Sequence, residues 1–134
     1  MKEWTIKVFV KENGEDAFEE WMEGVAKDDP EGYERIRAMI RRLSSTKKWD
    51  RPFFAMLTDC EHICEIIVKT KNTQYRPLGC YGPGPQILTI LVGASKKQKV
   101  WTPANAKETA KHRRKMVFRD GRYVDDYRPG KKRH

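Results

Sequence analysis

The 134-residue sequence predicts an α+β fold, with two N-terminal helices packed on a twisted, mainly antiparallel sheet and a further helix toward the C-terminus. Three observations carry that prediction. Residues 4–10 alternate in polarity with the period of a strand that buries one face. Two stretches between Phe18 and Leu43 repeat apolar residues every three or four positions, the stripe of a helix lying on a core. Strand-like runs then follow between Ile63 and Val92, each too short for a helix and separated by turn residues.

In the first run, Trp4, Ile6, Val8 and Val10 share one side, and Asn13-Gly14 then turns the chain. Asp16 and Glu19 have the spacing of a capping box. Phe18, Trp21, Met22 and Val25 form the inner face of the first helix, and Glu19, Glu20 and Glu23 the outer. Asp29 caps a second helix with Pro30 at its first position, where a missing N–H costs nothing. Tyr33, Ile36, Ile40 and Leu43 keep its apolar face, while Arg35, Arg37, Arg41 and Arg42 cover much of the remainder. Ser44 to Asp59 is polar and irregular and is expected to be a loop folded back on the core through Trp49, Phe53 and Phe54.

Ile63 to Val68 is the next strand, Asn72 to Gln74 a turn, and Tyr75-Arg76 the start of another strand. Gly82-Pro83-Gly84-Pro85 connects it to Gln86–Val92, a run apolar enough to be buried, so these strands are expected to form an antiparallel meander. Thr102 is read as the N-cap and Pro103 as the first position of a final helix running to about Met116. Residues 1–118 are therefore taken as one domain, and residues 119–134 as a basic C-terminal extension, a short hairpin or arm that ends in disorder.

Charged residues make up 35% of the chain and hydrophobic ones 38%, which suits a soluble globular protein. No apolar run approaches the roughly 20 residues that span a bilayer. The N-terminus has no long apolar segment of the signal-peptide kind, so the cytoplasm is the expected compartment. Three cysteines do not form an even disulfide framework. Cys60, His62 and Cys64 alternate, but no spacing supplies a fourth ligand, so no metal site is expected. Charge is distributed unevenly: residues 1–34 carry a net of −7 and residues 35–134 a net of +16, together the +9 of the whole. This pattern suggests a polyanion-binding body that carries one acidic segment.

The residues Glu65–Val68 with Tyr75-Arg76, then Ile87–Leu91, then Ser95-Lys96-Lys97-Gln98-Lys99 and Thr102-Pro103, follow one another in a recognisable order. With Ala106-Lys107 to Arg113-Arg114 and the two N-terminal helices, that order resembles the RelE/HigB superfamily of toxins, in particular its phage-derived RelE-like branch, over roughly residues 4–116. The resemblance implies a RelE-like fold and an endoribonuclease that cuts messenger RNA, often on the ribosome, and is silenced by a cognate antitoxin protein. Pro77 directly after Arg76 departs from a regular ladder because it removes a backbone donor.

Cleavage by this route requires neither metal nor cofactor, because the substrate's own 2′-hydroxyl attacks the adjacent phosphorus. The protein must take the 2′ proton, neutralise the charge on the pentacovalent phosphate and protonate the leaving oxygen. Arg76 is the candidate for the phosphate, as a planar fork matched to two oxygens. Lys96 and Lys97 are candidates for charge stabilisation, and alternation lets only one of them face the site. Lys71 or Lys69 would approach from the preceding strand, one serving as base, with Lys99 as a backbone binder. Tyr81 would stack on a base or orient the phosphate, and Arg113 and Arg114 would extend the RNA-binding surface. His112 is a candidate proton carrier, though a lone helical histidine is more often a surface residue. The competing expectation is an inactive phage or mobile-element protein of the same fold that only binds nucleic acid or a protein partner.

Overall fold

A computed structural model describes residues 3–71 and 73–130 of the chain. Strand β1 (Thr5–Phe9) leads to helices α1 (Ala17–Asp28) and α2 (Pro30–Ser45). Short strands follow: β2 (Phe54–Met56), β3 (Cys64–Ile66), β4 (Val68–Lys69), β5 (Gln74–Tyr75), β6 (Leu78–Tyr81), β7 (Ile87–Val92), β8 (Ser95–Lys97) and β9 (Val100–Thr102). Helix α3 (Ala106–Arg119), a 3₁₀ turn (Gly121–Tyr123) and β10 (Val124–Asp126) complete the described elements. The fold is α+β, as expected from the sequence.

The strands form a six-stranded sheet in the order β10-β1-β7-β6-β3-β2 and a four-stranded sheet in the order β4-β5-β8-β9. All pairings are antiparallel except β1 with β7, where Thr5 to Val8 run parallel to Ile87 to Ile90. The chain passes between the sheets at three places, Ile67, Arg76-Pro77 and Gly93-Ala94. Three successive runs therefore break at one level, and the two sheets continue one another around a bend.

The sequence supplies reasons for the break. Pro77 has no N–H to donate, and the register shifts between Leu78 and Gly79 just beyond it. At Gly93 the Trp21 ring sits so close that an added Cβ would lie 2.1 Å from it. The indole thus needs a glycine beneath it.

Side chains alternate to two cores. Ile6, Val8 and Val10 of the first run meet Phe18, Met22, Ile36 and Ile40 from α1 and α2. On the other face Phe9, Leu78, Leu91 and Ala94 meet Ala106, Ala110 and Val117 of α3. The small alanines let α3 approach the sheet closely. Strand β7 is covered on both sides, which explains its nearly continuous apolar sequence.

Both N-terminal caps form as their spacing predicts. The Asp16 carboxylate accepts from the Glu19 N–H at 3.0 Å, and that of Asp29 from the Gly32 N–H at 2.9 Å. Asp29 also accepts from the Tyr75 hydroxyl at 2.6 Å, which pins the α1–α2 junction to β5.

Several expectations need correction. The 44–59 segment is not all loop, because Phe54–Met56 pairs with β3 and extends the sheet. Thr102 does not cap α3: its backbone is committed to the ladder opposite Ser95, and the helix begins at Ala106 after Asn105. The expected meander does form, as β3, β6 and β7 pair antiparallel in turn, and the parallel β1 adds to it beyond β7. Beyond α3 the chain returns to the sheet, where β10 pairs with β1 and adds an edge strand. Asn72 of the expected turn and the basic end Lys131–His134 lie outside the described residues.

Two consequences are measurable. Gly93→Ala should lower stability by about 1–3 kcal/mol in denaturant unfolding, because Trp21 must move for the new methyl. The hydrogen bonds from Tyr75 and Gly32 hold the Asp29 carboxyl below its ordinary value of 3.8. Their stabilisation is present above that pH and is lost as pH falls through the depressed folded-state value. Tyr75→Phe should therefore cost stability at neutral pH and flatten the acid limb of the stability–pH curve; an unchanged acid limb would contradict the pairing.

Candidate nucleic-acid interface

The register of the four-stranded sheet decides which side chains meet. Lys69 pairs with Gln74, Gln74 with Lys96, and Lys96 with Trp101. Residues directly opposite one another in a ladder share a face, and adjacent strands lie about 4.8 Å apart. The four side chains thus form a row roughly 14 Å long. The Lys96 Nζ lies 5.0 Å from the centre of the Trp101 ring, a cation–π contact.

The neighbouring row, Val68, Tyr75, Ser95 and Thr102, faces the other way, and its Tyr75 reaches Asp29 at the helical hairpin. The cationic row therefore looks away from α1 and α2, on the side where α3 packs over Ala94.

Arg76 lies two positions beyond Gln74, and its N–H donates to the Ala94 carbonyl at 2.8 Å, so its side chain returns to the face of Lys96. It is not presented as a free fork. One Nη donates to Glu65 Oε1 at 2.8 Å and the other to Gln74 Oε1. The Arg76 and Glu65 side chains are only 12% and 6% exposed. A buried carboxylate on β3 requires a cation, and the bend delivers one. Arg76 in turn orients Gln74 at the centre of the row.

The row is bordered by a second ion pair. Lys107 of α3 meets Asp59 at 2.6 Å, tying the segment before β3 to the start of the helix. The hydrogen bond from Lys107 holds the Asp59 carboxyl below its usual range, and the charge of Lys96 adds to that effect.

The other candidates disperse. Lys97 falls on the opposite face, as alternation requires, and is exposed opposite Val100. Lys99 stands at the tip of the β8–β9 hairpin, where Gln98 and Lys99 both have positive φ, 49° and 72°. That is the backbone of a type I′ turn, usually supplied by Asn-Gly. Lys71 lines a groove with Asp28, Asp29 and Glu31 at the helical junction, apart from the row.

Tyr81 is at the other end of β6, roughly 16 Å along the strand from Arg76, and packs among Trp4, Trp49 and Phe54. Arg113 turns inward: it donates to the Leu91 carbonyl at 2.9 Å and lies over the Phe9 ring, so it clamps α3 to the sheet. Arg114 lies over Phe118. Cys60 and Cys64 are buried thiols, and no group of three or more His, Cys, Asp or Glu among the described residues is placed to hold a metal.

Gln74, Trp101 and Glu65 received no role from sequence alone. The signal for Trp101 was available, since a two-residue turn at Gln98-Lys99 pairs Lys97 with Val100 and hence Lys96 with Trp101. Glu65 was legible as a charge inside an apolar strand that needed a partner.

Residues 25–115, from the end of α1 through α2, strands β2 to β9 and most of α3, match the family described as Phage derived protein Gp49-like. The chain belongs to this Gp49-like family. No curated protein and no solved structure matches it. The family match extends over every residue of the cationic row and over the Glu65–Arg76 pair. No helix among the described residues is long and apolar enough to cross a membrane.

Removing one member of a buried ion pair strands the other charge, at a typical cost of about 3–5 kcal/mol, while replacing both with apolar groups is often neutral. Glu65→Leu should therefore destabilise this Gp49-like protein far more than Glu65→Leu with Arg76→Met. Equal losses for the single and the double variant in urea unfolding would show that the pair does not couple.

Proposed function

We propose that the chain is a toxin-type endoribonuclease of the RelE/HigB kind, which cuts messenger RNA on the face formed by Lys69, Gln74, Lys96 and Trp101. The observation that carries this reading is the cross-strand row itself: two cations and an aromatic ring on one rigid surface, with Gln74 between them. Lysines spaced along a sheet suit successive phosphates, and an indole supplies a platform for an unstacked base.

In the proposed reaction the 2′-hydroxyl gives its proton to water as its oxygen bonds to phosphorus, and the P–O5′ bond breaks as the leaving oxygen takes a proton from water, leaving a 2′,3′-cyclic phosphate and a 5′-hydroxyl. Lys96 neutralises charge on the pentacovalent phosphate, Lys69 holds the strand, Trp101 stacks a base, and Lys99 meets the backbone from the hairpin tip. Arg76 acts through Gln74 as a positioning residue. No metal or cofactor is required. The expected substrate is RNA in the cytoplasm, on ribosomes or free, and the expected inhibitor is an antitoxin whose acidic or amphipathic segment covers the row.

One observation favours a second reading. Arg76 is held by a buried carboxylate, which supports binding without cleavage, as in a family member that retains the fold alone.

Induced expression without a partner should arrest growth, and Lys96→Ala should relieve the arrest, with cleavage lowered about 10²–10³-fold as for loss of one transition-state charge contact. Trp101→Ala should weaken RNA binding by about 1–3 kcal/mol. Purified protein should generate 2′,3′-cyclic phosphate ends in the presence of EDTA. Harmless induction with ribosome-bound message left intact would overturn the nuclease, and retained RNA binding in that case would establish the second reading.

A further inference from the structure

Away from the cationic row, a cavity of about 480 Å³ opens between α2, β1 and the segment after β10. Its walls include Trp4, Arg37, Arg41, Ser44, Tyr127 and Arg128. Two polar atoms here are buried without a hydrogen-bond partner, the Tyr127 Oη and the Arg37 Nε. Leaving such groups unpaired is costly, typically about 1–3 kcal/mol each, so two of them on residues that line one cavity call for an acceptor.

The charges agree with an anionic acceptor. Three arginines line the cavity against one lining carboxylate, Asp126, which is already engaged by Lys7 at 3.3 Å, and the buried Glu19 carboxylate behind the wall interacts with Arg37 and Tyr127. Arg37 is shared with Glu34 at 3.6 Å and Arg128 with Asp125 at 3.6 Å, while Arg41 is exposed on the helix surface. Burial pushes the Tyr127 hydroxyl up to about 12, so at neutral pH it is a neutral O–H donor. Tyr127 is anchored by its own backbone, whose N–H donates to the Ile6 carbonyl at 3.1 Å. A fixed hydroxyl and a guanidinium edge beside two further arginines match the several acceptor oxygens of a phosphate.

We propose that this cavity binds a phosphate group, free or carried by a nucleotide or the end of an RNA strand, at a site separate from the cationic row. Tyr127 and Arg37 donate to its oxygens, and Arg41 and Arg128 balance its charge. The assignment holds whether or not the row cleaves RNA.

The full chain carrying Lys96→Ala, so that the row contributes little, should be titrated by amide-resolved NMR with inorganic phosphate, a nucleoside 5′-monophosphate, and a short oligoribonucleotide with and without a 5′-phosphate. Saturable shifts confined to residues 4–5, 37–44 and 126–128 are expected. Tyr127→Phe, which keeps the ring, should weaken phosphate binding about ten-fold or more, as loss of a hydrogen bond to a charged group does. Arg41→Gln, at an exposed position, provides a second variant and should weaken it as well. Preference for the 5′-phosphorylated strand over inorganic phosphate identifies an RNA end as the source; equal binding identifies a free anion. No saturable shift at these residues with any of the phosphates, or shifts that survive both substitutions in folded protein, would overturn the proposal.

Discussion

The bend between the two sheets organises the molecule, and the Glu65–Arg76 ion pair closes it. Glu65 belongs to the six-stranded sheet, whereas Arg76 sits where the chain crosses from the smaller sheet to the larger. Their contact at 2.8 Å spans the break at which Ile67, Pro77 and Gly93 interrupt three successive runs. Because the pair is almost fully enclosed, neither charge is satisfied if the two sheets separate. The bend also determines what is displayed. It leaves Lys69, Gln74, Lys96 and Trp101 on the face turned toward α3, with Trp101 packed at the edge of the α3 core, while Tyr75 on the reverse side secures the helical hairpin through Asp29.

Much of this was readable from residue order. The apolar periods of residues 4–10, 18–25 and 33–43 locate the first strand and both helices because each buries one face. The two aspartate caps are visible because only a short polar side chain satisfies the first N–H groups of a helix. The break at the bend was less legible. Ile63–Val68 reads as one strand, since alternation reports only which side a residue takes and not which neighbouring strand it pairs with. The return of β10 to β1 was hidden for a similar reason. Three residues with two aspartates have little strand propensity, and their pairing depends on the exposed edge of β1.

The positions of the candidate residues were legible only in part. Arg76 and Lys96 were identified from their types and positions, and they do share a face. Arg76, however, is committed to Glu65, a contact between residues eleven positions apart that depends on strand pairing. Arg113 shows the converse limit. On a helix rich in cations it looks like part of a solvated surface, yet it is drawn inward by a carbonyl and an aromatic ring. Lys71 and Tyr81 lie near the row in sequence but are carried off by the helical junction and by the far end of β6. The row and the arginine-lined cavity beside Tyr127 are thus two separate places where the fold concentrates positive charge.

The central claim is that RNA meets this protein on one cross-strand row. The most direct measurement is NMR mapping of a short 5′-hydroxyl oligonucleotide whose 2′-oxygens are methylated, which removes the attacking hydroxyl and holds the complex before cleavage. The amides of Lys69, Gln74, Lys96 and Trp101 and the Trp101 indole N–H should shift together and saturate together. Saturable shifts centred instead on Tyr81 and the outer face of α3, with the row unmoved, would contradict it.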